Sequence, residues 1–135
     1  MSELRRILHV EDDPSIQAVA KVALEAVGGF TVLTCASGQD ALDQIQGFAP
    51  DFILLDVMMP DMDGPQTLKN LRAIVDLSQV AVAFMTAKVQ PDEIEYYRTL
   101  GALDVIIKPF DPMQLAAQVR RIWSQAYGWE NPAAQ

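Results

Sequence analysis

Polar side chains suited to phosphate chemistry directly follow four short apolar runs. They are the acidic triplet Glu11-Asp12-Asp13, the single acid Asp56, the hydroxyl of Thr86 and the ammonium of Lys108. Clustered carboxylates repel one another, and a hard divalent cation such as Mg²⁺ relieves that repulsion while still accepting phosphoryl oxygens. An aspartate can itself be the nucleophile that forms an aspartyl phosphate, with a hydroxyl and an ammonium on the remaining oxygens. If these residues converge, the sequence predicts metal-assisted phosphoryl transfer.

The elements that would bring them together are five apolar runs alternating with stretches of helical periodicity. The runs are residues 7–10, 30–35, 52–55, 80–85 and 105–107. The first helix has Asp13 as its cap, Pro14 at its first position and Gly28 as its stop, and its core stripe is predicted as Ile16, Val19, Ala20, Ala23 and Val27. The last helix is predicted to begin at Asp111-Pro112.

The pattern indicates an α/β fold built as a single doubly wound (βα)5 unit. The third to fifth runs are continuously apolar, which is typical of parallel strands buried on both faces. Right-handed crossovers then favour the flavodoxin-like strand order 2-1-3-4-5. Since all carboxyl ends of a parallel sheet lie at one edge, the residues that follow the strands should meet there.

Composition restricts the class of protein. The 135 residues suit one domain, predicted as residues 1–126 with a short tail at 127–135. The net charge of −8 repels phosphate backbones, so we expect no direct contact with nucleic acid. One cysteine, no signal peptide and no long apolar run predict a cytoplasmic chain that does not enter a membrane.

Taken together, the four motifs resemble the receiver domain of bacterial two-component response regulators, including the chemotaxis receivers. The motifs are residues 7–13, 56–64, 86–87 and 108–110, and the resemblance covers about residues 4–125. It implies that Asp56 is the phosphoacceptor, that Thr86 reports its phosphorylation and that Lys108 pairs with it. Sequence separation from Asp56 then assigns Asp12 as a direct Mg²⁺ ligand.

The resemblance also completes the ligand set. It implies that Glu11 acts on the metal mostly through water, that the backbone carbonyl of Met58 is a further ligand, and that Asp13 is left as a helix cap. Pro109 is expected to follow Lys108 through a cis peptide bond.

The implied function is a switch in a phosphorelay. Asp56 would accept a phosphoryl group, with Mg²⁺, from a sensor histidine kinase or a histidine phosphotransfer protein. The chain would then change its binding surface for a downstream protein that the sequence does not name. It would be no enzyme beyond its own phosphotransfer and autodephosphorylation. Whether it stands alone or is part of a longer chain stays open.

One position departs from the family pattern. Relatives often carry Tyr or Phe three residues before the lysine, and here that position is Val105. A valine is stiff at χ1 and too short to swing inward. We therefore expect the signal to travel through residues 87–97, which carry the weakest helical pattern, and to change amide exchange chiefly between residues 87 and 101.

Other interpretations remain beside the switch. An aspartate-nucleophile phosphatase would need a second acid two residues after Asp56, where the chain has Met58. A degenerate receiver, serving only as an interaction module, would normally have lost one of the site residues. Asp61 and Asp63 are explained by turn chemistry, and His9 as a packed polar side chain.

Overall fold

The computed structural model describes residues 3–87 and 89–127 and contains a parallel five-stranded sheet in the order 2-1-3-4-5. The strands are β1 (Arg6–Val10), β2 (Thr31–Cys35), β3 (Phe52–Asp56), β4 (Ala81–Thr86) and β5 (Asp104–Ile107). The α-helices are α1 (Pro14–Val22), α2 (Gly38–Phe48), α3 (Gly64–Ile74), α4 (Pro91–Thr99) and α5 (Leu115–Tyr127). The predicted flavodoxin-like fold is confirmed.

Two apolar layers enclose the sheet. One packs α1 and α5 against side chains such as Ile7, Leu54 and Ile106. The other packs α2, α3 and α4 against side chains such as Leu8 and Phe84. Every residue of β3 and β4 is buried, as their continuous apolar runs predict, so the polar residues at their carboxyl ends have a fixed backbone beneath them.

The first helix begins where the sequence predicts. The Asp13 carboxylate accepts hydrogen bonds from the backbone N–H groups of Ser15 and Ile16, at 2.8 Å and 3.3 Å, and Pro14 is the first helical residue. Such a cap stabilises a helix by about 1 kcal/mol. The carboxylate of Asp13 is thereby engaged at the start of α1.

The predicted core stripe of this helix is wrong at Val19 and Val27, which are exposed. After α1 the chain continues as a π-helical segment, Ala23–Val27, in which the N–H of Gly28 bonds to the carbonyl of Ala23 at 3.2 Å. The wider turn takes up one extra residue. Consequently Gly28, rather than Val27, is buried against the core.

Two expectations near the C-terminal end are also corrected. The fifth strand is not buried on both faces, because the strand order places β5 at an edge of the sheet, where Ile107 is exposed. The last helix begins at Leu115, and Asp111 forms the turn that leads into it: its carboxylate accepts the N–H of Met113 at 2.9 Å and its carbonyl accepts the N–H of Leu115 at 3.0 Å. Residues 128–135 of the predicted tail lie outside the described residues.

Among the described residues, no helix has the length and hydropathy that a bilayer crossing requires.

His9 is fully buried in the middle of β1, as expected for a packed side chain. Within the part of the chain that the structure describes, neither of its ring nitrogens has a hydrogen-bond partner. Burial lowers the pKa of His9 from 6.5 to about 4, and the nearby Lys108 ammonium adds to this effect. An unpaired buried polar group typically destabilises a fold by about 1–3 kcal/mol.

We therefore expect His9→Val to raise the free energy of unfolding by about 1–3 kcal/mol near pH 7. As pH falls below 6.5 the unfolded chain binds a proton at His9, whereas the folded chain does so only near 4. The native protein should consequently lose about 2 kcal/mol more than the variant between about pH 7 and pH 5. Urea denaturation at both pH values measures this, and equal pH dependence in the two proteins would contradict it.

Candidate functional site

Three carboxylates meet at the carboxyl edge of the sheet. Glu11 and Asp12 follow β1 and Asp56 ends β3, and these strands are hydrogen-bonded neighbours. One carboxylate oxygen from each of the three lies within 4.8 Å of the others. Glu11 and Asp56 are buried, whereas Asp12 is exposed. The predicted convergence of these acids is therefore what the fold produces.

Lys108 reaches this cluster from the far edge of the sheet. Its Nζ lies 3.1 Å from Oε1 of Glu11 and 3.0 Å from Oδ1 of Asp56, so one ammonium bridges two buried carboxylates. The backbone N–H of Lys108 donates to the carbonyl of Thr86 at 2.9 Å, which fixes it to the end of β4. The peptide bond between Lys108 and Pro109 is cis, as expected.

Burial and neighbouring charges shift the pKa values of Glu11 and Lys108. Burial raises the pKa of Glu11 to about 7, and the charge of Asp56 adds to the rise, while the hydrogen bond from Lys108 opposes it. Burial by itself disfavours the ammonium of Lys108, but its hydrogen bonds to Asp56 and Glu11 outweigh that effect and raise its pKa. Lys108 is thus held charged beside carboxylates that crowd one another.

The charge balance of the cluster fits a divalent cation. With all groups ionised, three carboxylates face one ammonium, which leaves negative charge in a site that is mostly shielded from water. Carboxylate oxygens are the ligands that Mg²⁺ and other hard cations take. The acidic cluster of Glu11, Asp12 and Asp56 could therefore hold such an ion.

Asp13 stands apart from this cluster although it follows Asp12 directly. Its side chain caps α1, while its backbone N–H donates to Oε2 of Glu11 at 3.2 Å. Asp13 is thus a helix cap, as predicted, whereas Glu11 and Asp12 face Asp56. The structure supplies the reason, since the chain turns into α1 at this point.

Thr86 and Met58 belong to segments next to the strands that carry the cluster. Thr86 ends β4, is buried and stands in register with Ile107 of β5. Met58 lies in the loop after β3 with 76% of its surface exposed. The backbone of the preceding residue, Val57, is fixed by a 3.0 Å hydrogen bond to the carbonyl of Met85.

Two residues that shape the site were assigned no role from the sequence. The side-chain amide of Gln17 donates to the backbone carbonyl of Glu11 at 2.5 Å and so joins α1 to the end of β1. Gly64 starts α3 with its N–H on the carbonyl of Val57 at 2.9 Å. A Cβ at Gly64 would press on the carbonyl oxygen of Asp56 and lie 2.9 Å from Cα of Val57. Only the Pro-Asp-Met-Asp-Gly turn signal hinted at this glycine.

The two remaining acids of this loop are local, as their turn chemistry predicts. The Asp63 carboxylate accepts the N–H of Gln66 at 2.9 Å as the cap of α3. Asp61 has a backbone φ of 70°, a left-handed conformation that aspartate tolerates better than most residues.

Comparison with known families agrees with this geometry. The model of the response regulator receiver domain matches residues 7–120 of the chain. The chain belongs to the response regulator receiver domains.

Curated relatives are longer proteins. The receiver is 36% identical over 123 residues to response regulator Rre1 of Synechocystis, covering 90% of this chain and 53% of that protein. It is 36% identical over 116 residues to the DNA-binding response regulator MtrA of Mycobacterium tuberculosis, covering 86% of this chain and 49% of that one. The chain spans about half the length of the curated relatives that it matches.

Two solved structures match the receiver over nearly their whole length. The chemotaxis protein CheY4 of Vibrio cholerae superposes with a TM-score of 0.82 at 28% identity, covering 89% of this chain and 99% of that chain. The receiver domain of the Francisella response regulator 1452 gives 0.78 at 26% identity, covering 90% and 98%.

Gly64 provides a test of how tightly the loop is packed on Asp56. We expect Gly64→Ala to lower the free energy of unfolding by about 1–3 kcal/mol, because the new methyl group displaces the backbone of Asp56 and Val57. The backbone amide NMR shifts of those two residues should change as well. Gly47→Ala is the matched control, because Gly47 lies within α2 and no atom lies near the position of an added Cβ. This substitution should raise the free energy of unfolding by about 0.5–1 kcal/mol. Equal effects at both sites would refute the packing argument.

Proposed function

We propose that this receiver accepts a phosphoryl group on Asp56 and thereby switches its protein-binding surface. The observation that supports this most is the bridge from Lys108 to Asp56 and Glu11, at 3.0 Å and 3.1 Å. A structural turn residue would not need a buried carboxylate held by an ammonium from another strand. The arrangement instead places the Asp56 carboxylate beside an ammonium that can donate hydrogen bonds to a phosphoryl group.

The proposed chemistry is a single displacement at phosphorus. A carboxylate oxygen of Asp56 forms the new P–O bond while the bond from phosphorus to the donor breaks. In phosphohistidine or phosphoramidate this is a P–N bond and the leaving nitrogen takes up a proton, and in acetyl phosphate it is a P–O bond and acetate leaves as the anion. Lys108 balances the charge of the product, and the hydroxyl of Thr86 donates to a phosphoryl oxygen. Water later hydrolyses the acyl phosphate and resets the switch, which is the only further turnover that we assign.

Glu11, Asp12, Asp56 and the backbone carbonyl of Met58 are the residues that would hold Mg²⁺. When bound, the ion supplies charge neutralisation at the phosphoryl oxygens. Asp12, exposed beside two buried acids, is the carboxylate that can join the ion without losing the Lys108 bridge. Glu11 is engaged by Lys108 and by the N–H of Asp13, which suits a ligand that acts through water.

We further infer that the phosphoryl donor is a protein that carries phosphohistidine, either a sensor kinase or a phosphotransfer protein. A groove of 530 Å³ lies between α1 and the segment after β5, lined by apolar side chains such as Ile16 and Phe110 and by Lys108 itself. The exposed side chains of Val19 and Val22 lie on the same helix. Lys108 lines this groove and also bridges to Asp56. A protein surface bound in the groove would therefore place its phosphoryl group next to Asp56.

The phosphatase interpretation is less well supported. It requires an acid two residues after the nucleophile to protonate the leaving group, and an exposed methionine occupies that position. Direct nucleic-acid binding by this chain is not expected from its charge of −8, although longer relatives are named as DNA-binding proteins. The absence of direct nucleic-acid binding and a cytoplasmic location both stay predictions.

Asp56→Asn tests the acceptor. With Mg²⁺ and acetyl phosphate, the native receiver should gain the mass of one phosphoryl group, and this variant should gain none because an amide oxygen is a poor nucleophile. Asp61→Asn is the control, since Asp61 is an exposed acid of the same loop that should leave the gain intact. Undiminished gain in Asp56→Asn, read by intact-protein mass spectrometry, would assign the acceptor elsewhere.

Asp12→Asn tests the ligand set against its neighbour in sequence. Calorimetric titration with Mg²⁺ should show an affinity at least about tenfold weaker, because a carboxylate ligand is removed. Asp13→Asn should bind Mg²⁺ as the native receiver does, since asparagine retains the helix cap. If Asp13→Asn weakens binding as much as Asp12→Asn, the division of the acidic triplet is wrong.

A further inference from the structure

The fourth helix contributes one buried side chain to the core. Of the residues in α4, Pro91–Thr99, only Tyr97 is buried, with 5% of its surface exposed. The neighbouring Tyr96 is 46% exposed, and its ring centroid lies 5.8 Å from that of Tyr97. Elements with few buried apolar contacts open at a smaller free-energy difference than the rest of a fold.

The anchor of α4 rests on the strand that ends at the site. The ring centroid of Tyr97 lies 4.9 Å from that of Phe84, with the two planes tilted by 50°. Phe84 precedes Thr86 by two residues on β4, so both side chains point to the same face of the sheet. A displacement of Thr86 therefore acts on the strand segment against which the Tyr97 ring packs.

The residue next to Phe84 on β5 is not aromatic. Val105 stands in register with Phe84 on β5 and packs into the same apolar layer as Tyr97. A valine side chain has no ring to move in response to Thr86. Within this layer, the aromatic contact of Phe84 comes from α4, across the helix–sheet interface.

Tyr97 is also sensitive to the loop that follows Asp56. Burial raises the pKa of Tyr97, and the charges of Glu93, Tyr96 and Asp63 raise it further. Asp63 caps α3 at the end of that loop, so this charge lies on the acceptor side of the domain. The side chain thus has one neighbour on β4 and an electrostatic link to the loop after β3.

We propose that Tyr97 is the residue that couples the state of Asp56 to the position of α4, through its ring contact with Phe84. The inference rests on the proposed phosphorylation of Asp56 and names the residue that transmits it. A movement of Thr86 shifts the ring of Phe84, and the ring of Tyr97 moves with it because the two rings are in contact. The α4 helix then moves as well, together with the exposed ring of Tyr96. The face that changes for a downstream protein is therefore that of α4.

Amide hydrogen exchange with and without beryllofluoride and Mg²⁺ tests the coupling. In the native receiver, the mimic should change exchange across residues 91–99 by at least about fivefold, as typical coupling energies imply. Tyr97→Leu should lose this difference, and Tyr97→Phe, which keeps the ring, should retain it. Tyr96→Leu is the matched control and should also retain it, because that side chain is largely exposed.

A merely structural role of Tyr97 gives a different pattern. Tyr97→Leu would then speed exchange of α4 equally in both states and leave the ratio between them unchanged, which would overturn the proposal. Because coupling is reciprocal, Tyr97→Leu should also alter the affinity for beryllofluoride, whereas a structural anchor leaves it unchanged.

Two further measurements keep the outcome decisive. Mass gain with acetyl phosphate is recorded for every variant. A native receiver that gains nothing refutes the proposed function, whereas normal gain with an unchanged exchange ratio in Tyr97→Leu refutes only the coupling.

If Tyr97→Leu fails to fold, 3-fluorotyrosine NMR of the unmutated chain replaces it, with Tyr→Phe variants to assign the signals. The resonance of Tyr97 must then shift on adding the mimic, and an unmoved resonance overturns the inference.

Discussion

The bridge from one ammonium to two buried carboxylates is the interaction on which the site depends. Lys108 joins the end of β5 to Glu11 and Asp56, which belong to two neighbouring strands on the other side of β4. Only a parallel sheet brings the ends of these strands to one edge. Without the ammonium, the crowded acids would repel one another in a largely water-excluded place, so fold and site chemistry constrain each other.

Close backbone packing makes that edge rigid enough to hold a ligand. Asp13 ends the acidic triplet by capping α1, Gln17 holds the carbonyl of Glu11, and Gly64 lets α3 start directly against the backbone of Asp56. In the same layer as α3, by contrast, α4 has a single buried residue. The receiver therefore combines a tightly fixed acceptor with one loosely attached helix, which is the combination that a switch requires.

The sequence was sufficient for the strands and for the residues at their ends, because continuous apolar runs and the polar residues after them are local signals. The strand order came instead from the general preference for right-handed crossovers in doubly wound folds. The sequence was insufficient where contacts between elements distant in sequence determine the conformation or burial of a residue. The π-helical turn that brings Gly28 rather than Val27 to the core has no pattern of its own. The hydrogen bond of Gln17 depends on how α1 meets β1, and the burial of Tyr97 on a partner, Phe84, that lies on another element.

The central claim is that Asp56 becomes an acyl phosphate through its place beside Lys108 and the acidic pair. Borohydride reduction followed by peptide mass mapping tests it most directly, because an aspartyl phosphate is reduced to homoserine at the residue that carries it. After treatment with phosphoramidate and Mg²⁺, the account predicts homoserine at position 56, and none when the metal is chelated. Homoserine at another aspartate, or a phosphoryl group retained on His9, would contradict it.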